Sequence, residues 1–236
     1  MKVLTLNTWG IRGPAQRRPL LLQAIRQINA DILLLQEATD PQLLEELGEY
    51  PTRHHAAEGW LAILGRYPAT THRSVPYATL SPLEPYRRQV LSVHLDVEGL
   101  PLWVVNTHLS WKAEDSASRR AQAEELVRLC GSLEGSVLAG GDFKAAPQED
   151  PIGMMRGAGF TDLFAALHPE EPGITWDNRN LHIQSHTVRF PDRRIDYLFL
   201  RGKEWKPVRC EVVCNVPTAE GICPSDHYGV LATLQR

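Results

Sequence analysis

Short apolar runs recur along the chain, and most of them are bounded by Gly, Pro, Asn or Asp. Runs of this length with such boundaries are typical of buried β-strands. We therefore predict eight strands, at Val3–Leu6, Ile32–Leu35, Leu61–Leu64, Val90–Val97, Leu102–Val105, Val137–Ala139, Ile195–Leu200 and Val230–Leu234.

Two longer segments, Leu20–Ile28 and Ser116–Leu133, carry apolar residues at helical spacing instead. Shorter helical turns are predicted at Pro41–Leu47, Pro151–Arg156 and Leu163–Leu167. The chain thus opens as strand, helix, strand, whereas Glu98-Gly99 between two runs predicts an antiparallel hairpin. A chain that combines these features forms a mixed sheet, so the predicted fold class is α/β or α+β.

Composition places the chain among ordinary globular proteins. Of its 236 residues, 43% are hydrophobic and 22% are charged, a balance that argues against disordered and fibrous proteins. Pro and Gly are spread along the chain, so we expect residues 1–236 to form a single domain. Every apolar run is far shorter than the roughly 18 residues of a membrane span, and the N-terminus lacks a signal-peptide core. We expect a cytoplasmic monomer without stable membrane association.

Charge and cysteine content narrow the candidate partners. A formal net charge of −3 argues against a protein that wraps a long polyphosphate, although a local basic patch is compatible with it. The four cysteines are too few for a disulfide scaffold and match no tight zinc pattern. We therefore expect buried free thiols and regard a zinc hydrolase as a distant alternative.

Polar residues stand at the ends of the predicted strands. If these strands share a sheet, their ends converge on one site. Any one such residue is more often a turn former or a helix cap, so the hypothesis depends on the whole set. The residues concerned are Asn7, Glu37, His108, Asp142, Asp196, Asp226 and His227.

The residue types in this set point to a metal-assisted hydrolase. A carboxylate against a dry strand end is costly unless a cation compensates its charge. Oxygen ligands without paired cysteines favour Mg²⁺ or Mn²⁺, a role that fits Glu37, Asn7 and Asp226. Asp142, which follows two glycines, is suited to orient and deprotonate a water molecule.

The histidines complete this chemistry. Asp196 could hold the ring of His227 in one tautomer, so that its other nitrogen faces a phosphoryl oxygen. His108 could provide a second contact of this kind. Together, the metal, the base and the donors to the developing oxyanion match the hydrolysis of a phosphate ester.

Three further residues are candidate substrate contacts. Trp176 and Asn178 belong to a segment, 174–180, that could line a cleft, and Arg88 flanks a candidate site strand. By contrast, we expect the histidines at positions 54, 55, 72 and 168 to lie on the surface, because no apolar strand leads to them.

Six motifs, taken in order, resemble the endonuclease/exonuclease/phosphatase superfamily of DNase I-like proteins. The resemblance spans almost the whole chain and is nearest to the neutral sphingomyelinase and tyrosyl-DNA phosphodiesterase two branch. It implies a four-layer α/β/β/α sandwich, in which helices flank two mixed sheets, and a magnesium site at one end of the sheets. The motifs are Leu6–Gly10, Leu35–Glu37, Thr107–Leu109, Gly141–Phe143, Arg194–Tyr197 and Ser225–Tyr228.

By matching position, the resemblance implies roles for the same residues. Glu37, Asn7 and Asp226 would form the metal shell, and Asp142 would activate the water. His227, oriented by Asp196, would stabilise the phosphate, and His108 would contact the phosphate or the leaving group.

The chain departs from the superfamily pattern at one position. Lys144 stands two residues after Asp142, where the pattern Gly-Asp-Phe-Asn has Asn. An amide both donates and accepts, whereas an ammonium only donates and adds a full charge. Lys144 could act as a catalytic phosphate clamp, or it could weaken metal binding and leave an impaired enzyme or a silent phosphate-binding module. It could also be an engineered change.

The leading function is that of a Mg²⁺- or Mn²⁺-dependent phosphodiesterase or phosphatase acting on a nucleic-acid end or a small phosphate ester. A sphingomyelinase-like lipid phosphodiesterase is an alternative, although no amphipathic membrane helix is evident. If Lys144 impairs the site, Lys144→Asn should raise metal-dependent turnover.

Overall fold

The computed structural model describes residues 1–56, 58 and 60–236. The α-helices are α1 (Arg17–Ile28), α2 (Pro41–Glu46), α3 (Ser116–Gly131), α4 (Asp150–Gly157) and α5 (Leu163–Leu167), and a short 3₁₀ helix covers Ile183–Ser185. The strands are β1 (Lys2–Asn7), β2 (Ile32–Gln36), β3 (Thr52–Ala56), β4 (Leu61–Gly65), β5 (Ala69–Pro76), β6 (Gln89–Val97), β7 (Leu100–His108), β8 (Ser136–Asp142), β9 (Thr161–Asp162), β10 (Asp196–Arg201), β11 (Lys206–Val213) and β12 (Gly229–Gln235).

The strands form two mixed sheets of six. The first has the order β11-β12-β1-β2-β4-β3, and the second has the order β5-β6-β7-β8-β10-β9. In each sheet one parallel pair is joined by a helix: α1 connects β1 to β2, and α3 connects β7 to β8. The other pairs are antiparallel. These arrangements confirm the predicted mixed sheets.

Three apolar clusters hold the layers together. The first lies between the sheets and joins residues of both, such as Leu34 of β2 and Val104 of β7. The second packs α3 and α4 on the second sheet, and the third packs α1 and α2 on the first sheet. Burial of apolar surface in three such layers is the main stabilising contribution to the fold. The four-layer sandwich implied by the resemblance is confirmed.

Local sequence signals account for several boundaries. Asp40 caps α2 by accepting hydrogen bonds from the backbone N–H groups of Gln42 and Leu43, and Pro41 occupies the first turn. The predicted hairpin is present between β6 and β7, where Glu98 and Gly99 both have positive φ, 53° and 84°. That backbone matches a two-residue hairpin turn.

Each predicted strand and helix overlaps an observed element, whereas β3, β5, β9 and β11 were not predicted. All four cysteines are free, and three of them are buried, as expected. Within the described part of the chain, the helices are too short or too polar to cross a bilayer. The single domain, the monomeric state and the cytoplasmic location remain predictions.

Candidate active site

Strand register gathers the predicted site residues at one end of the two sheets. The last residue of β1, Asn7, pairs with Gln36 of β2, which places Glu37 immediately beyond the sheet. In the second sheet, Asp142 pairs with His108 on one side and with Asp196 on the other. The two groups face each other because the sheets pack face to face, so the predicted convergence is present.

Asn7 connects the two sheets within the site. Its Nδ2 donates to Glu37 Oε1 at 3.1 Å and to Asp142 Oδ2 at 2.9 Å. Its Oδ1 accepts the backbone N–H of Trp9 at 2.9 Å, which fixes the orientation of the amide. Asn7 therefore orients two acids, and its Oδ1 has a second lone pair with which it can bind a cation.

Asp142 is fully buried and lies against one ammonium and two imidazole rings. Its Oδ2 lies 2.7 Å from Lys144 Nζ, 3.4 Å from His108 Nε2 and 3.7 Å from His227 Nε2. Burial raises the pKa of the Asp142 carboxyl, but the Lys144 ammonium and the His227 imidazolium outweigh burial and hold that pKa well below its usual range. Asp142 is consequently a carboxylate at neutral pH.

His227 is paired with the second buried acid. Its Nδ1 lies 2.9 Å from Asp196 Oδ2. Burial lowers the pKa of His227, but Asp196 outweighs this effect and raises it to about 9. Nε2 lies 3.1 Å from Lys144 Nζ, a hydrogen bond only while Nε2 keeps its lone pair. The raised pKa makes His227 an imidazolium near neutral pH, and Asp142 lies between this imidazolium and the Lys144 ammonium.

His108 is a buried imidazole in a different state. Burial, followed by the charge of Arg88, lowers its pKa well below the usual value. Neither ring nitrogen has a hydrogen-bond partner within the described residues. His108 also lines a cavity that is described below. A neutral ring with an unused N–H and an unused lone pair at that wall is suited to bind a polar group of a substrate.

The loop that carries Asp226 is held by residues that the sequence did not single out. Asn180 donates from Nδ2 to the carbonyl oxygens of Ser225 and Asp226 at 2.9 and 3.2 Å. His186 Nε2 lies 3.1 Å from Asp226 Oδ2. Asn180 belongs to the segment 174–180 that was noted as a cleft candidate, whereas no pattern in the sequence marks His186.

The donor set fits a hard divalent cation. Glu37 and Asp226 both present carboxylates to the cavity. The Arg12 guanidinium pairs with Glu37, but the Arg12 side chain is 57% exposed and is not held within the fold. Burial raises the pKa of Glu37, whereas Lys144 and Arg12 outweigh burial and lower it. Such oxygen ligands suit Mg²⁺ or Mn²⁺ rather than zinc.

A second group of potential ligands is already occupied by hydrogen bonds. Single ligand atoms of Asp142, Asp196 and His227 lie within 4.8 Å of one another. However, the His227 ring is bonded to Asp196, and the Lys144 ammonium lies against Asp142. A cation at this group would have to displace that ammonium.

A cavity of about 410 Å³ opens onto these residues. Its walls combine aromatic rings with cationic side chains, and they include Trp176 and Arg88, two of the candidate substrate contacts. Asn178 lies elsewhere, and its Nδ2 donates to the carbonyl oxygen of Phe190 at 2.9 Å and to Asp192 at 2.6 Å. The aromatic lining residues are Trp9, Trp60, Tyr86, Trp111, Trp176 and Phe190.

Comparison with known proteins supports the family resemblance. The model of the Endonuclease/Exonuclease/phosphatase family matches residues 4–227. Tyrosyl-DNA phosphodiesterase 2 of Gallus gallus is 24% identical over a 251-residue alignment that covers 96% of this chain. The chain spans 65% of the length of that curated relative.

Solved structures share the fold. D. rerio TDP2 complexed with single strand DNA product has a TM-score of 0.82 at 19% identity, covering 100% of this chain and 99% of that chain. Truncated TDP2 from Caenorhabditis elegans has a TM-score of 0.80 at 21% identity, covering 100% and 97%. At these identities the likeness establishes the architecture.

Proposed function

Since the chain belongs to the Endonuclease/Exonuclease/phosphatase family, we propose that it is a divalent-metal-dependent phosphodiesterase. The observation that carries this proposal is the position of Asn7, whose amide lies within hydrogen-bond distance of both Glu37 and Asp142. This contact joins the candidate metal carboxylate to the candidate water-activating carboxylate, although they come from different sheets.

In the proposed mechanism, Glu37 and Asp226 would hold the metal. When bound, the cation would supply positive charge for the phosphoryl oxygens. Asn7 keeps Glu37 at a fixed distance from Asp142, because one amide nitrogen donates to both. The spacing of Glu37 and Asp142 is thereby set by the fold rather than by the substrate.

Asp142 orients the attacking water and accepts its proton on a carboxylate oxygen. A low pKa makes Asp142 a weak base, so its main contribution is to align the water. The imidazolium of His227 donates from Nε2 to a phosphoryl oxygen, while Asp196 holds Nδ1. His108, which is neutral, donates its free N–H to a second oxygen or to the leaving group.

A nucleic-acid end fits the walls of the cavity. Aromatic rings provide stacking surfaces for bases, and Arg193 provides positive charge beside them, whereas Arg88 is paired with Glu84 at 2.8 Å. One relative is named a tyrosyl-DNA phosphodiesterase, and one solved relative holds a single-stranded DNA product. We therefore propose a DNA strand end, including one joined to tyrosine, as the first substrate to test.

The test is a substrate panel with and without Mg²⁺ or Mn²⁺. It should include tyrosyl-linked DNA ends, abasic DNA, single strands, sphingomyelin and phosphoinositides. Asp142→Asn should lower the rate on the preferred substrate by about 10²- to 10⁴-fold, as is typical when an acid–base group is removed. The exposed Glu134 gives a matched control, and Glu134→Gln should leave the rate unchanged. Absence of hydrolysis across the panel would refute the proposal.

A further inference from the structure

Lys144 occupies a backbone conformation that suits the residue it replaces. Its φ is 50°, in the left-handed region, which Asn tolerates better than Lys does. Two other residues of the site, Trp9 and Glu37, share this conformation with φ of 56° and 49°. Strain of this kind persists where the surrounding structure enforces it, and it concentrates at functional sites.

The side chain of Lys144 ends among the acids of the site. Its Nζ is 2.7 Å from Asp142 Oδ2 and 5.6 Å from the ring centroid of Trp176. Only 11% of the side chain is exposed, and Lys144 lines the central cavity. An ammonium has three N–H donors. Asp142 accepts from Lys144, whereas the His227 imidazolium cannot accept, which leaves at least one donor for a ligand in the cavity.

The charge of Lys144 is permanent in this setting. Burial lowers the pKa of Lys144, but the carboxylates of Asp142 and Glu37 outweigh burial and raise it. The ammonium therefore supplies a fixed positive charge beside Asp142. An Asn at this position would place only a neutral dipole there.

We propose that Lys144 is a tethered cation that binds a nonbridging oxygen of the substrate's phosphoryl group, so that the site holds a phosphate anion even without a metal. This inference rests on the phosphoryl site of the proposed function. It assigns the ligand class as phosphate and phosphate monoesters, for which an ammonium is a suitable point charge. It also implies that Lys144 repels a divalent cation at Glu37 and weakens its binding.

Calorimetric titration with inorganic phosphate in the presence of a chelator tests this inference. The wild-type protein should bind phosphate saturably, and Lys144→Asn should weaken binding about tenfold or more, as expected for the loss of a charge-assisted hydrogen bond. Lys144→Arg should retain part of the affinity because it keeps the charge. The exposed Lys203 provides the control, and Lys203→Asn should bind phosphate like the wild type.

A second measurement guards against a variant that misfolds. Manganese binding, followed by electron paramagnetic resonance, should tighten in Lys144→Asn because a neighbouring positive charge is removed. Equal phosphate affinity in wild type and Lys144→Asn, or no binding by the wild type, would overturn the inference. Lys144-dependent phosphate binding without hydrolysis of any substrate would overturn the proposed function alone. Hydrolysis without Lys144-dependent phosphate binding would overturn only the role of Lys144.

Discussion

Two buried aspartates in one site have pKa values shifted in opposite directions, which shows how strongly neighbouring charges determine the pKa of a buried acid. The Lys144 ammonium holds the pKa of Asp142 low, whereas burial raises the pKa of Asp196. The sequence predicted both acids and the pairing of Asp196 with His227. It could not predict the direction of the Asn7 amide or the contact of His186 with Asp226, because these depend on long-range packing.

The contact between His227 and Asp196 predicts how stability depends on pH. The pKa of folded His227 is about 9, above the ordinary value of 6.5. A raised folded pKa contributes stability that is complete below pH 6.5 and is lost as pH rises through 9. This contribution is at most about 3 kcal/mol. In NMR titrations, the His227 ring resonance should change near pH 9 in the wild type, and Asp196→Asn should lower that pKa by about one to three units. A His227 pKa that is unchanged by Asp196→Asn would contradict this assignment.

Whether a strand could be predicted from the sequence depended on how deeply the strand is buried. Strands such as β2 are wholly buried and read as continuous apolar runs. The strand β5, by contrast, has the sequence ATTHRSVP and is exposed along most of its length, so no apolar pattern marks it. Likewise β11 mixes charged and apolar residues at the edge of the first sheet. Edge strands of this kind are held by backbone pairing, which the residue pattern does not encode.

A buried amide forms a hydrogen-bonded bridge between the two sheets next to the site. Asn106 of β7 donates from Nδ2 to the carbonyl oxygens of Leu35 and Ala62 at 2.9 and 3.0 Å. Its Oδ1 accepts from Gln36 Nε2 at 2.8 Å. Because Gln36 directly precedes Glu37, this bridge links the position of the proposed metal carboxylate to the second sheet.

Asn106→Leu tests the contribution of this bridge. The substitution leaves the Gln36 donor and two buried carbonyl oxygens without this partner, which should lower the free energy of unfolding by about 2–4 kcal/mol. Urea denaturation measures the change. The exposed Asn215 is a matched control, and Asn215→Leu should change stability by less than about 0.5 kcal/mol. Equal stability of Asn106→Leu and wild type would show that the bridge is dispensable.

For the whole molecule, the sequence shows the order of the motifs. It does not show that the strands carrying them end or begin at one site. The carboxyl ends of both parallel pairs lie at the site. The strand β10, which is antiparallel to β8, begins at the site. The resemblance implied this arrangement, but the residue pattern alone left open whether the strands share a sheet. The net charge of −3 likewise does not show that four cationic side chains line the cavity, three of them paired with carboxylates.

Because only a few cations line the cavity, we expect the affinity for a single-stranded nucleic acid to depend weakly on salt concentration. Four permanently charged side chains, Arg12, Arg88, Lys144 and Arg193, line the cavity. At about 0.7 per phosphate contact for a single strand, the slope of log affinity against log salt concentration should not exceed about 3 in magnitude. Fluorescence anisotropy with a short single-stranded oligonucleotide measures the slope. A magnitude near 6 would indicate an extended binding surface outside the cavity.

The dependence of hydrolysis on Mn²⁺ concentration in the wild type and in Glu37→Gln, with the best substrate of the panel, tests metal-dependent catalysis at this site directly. If Glu37 is a metal ligand, we expect saturable activation that a chelator abolishes, and a requirement for at least about tenfold more Mn²⁺ in Glu37→Gln because a charged ligand is lost. Hydrolysis that persists in the chelator, or the same Mn²⁺ dependence in both proteins, would contradict this expectation.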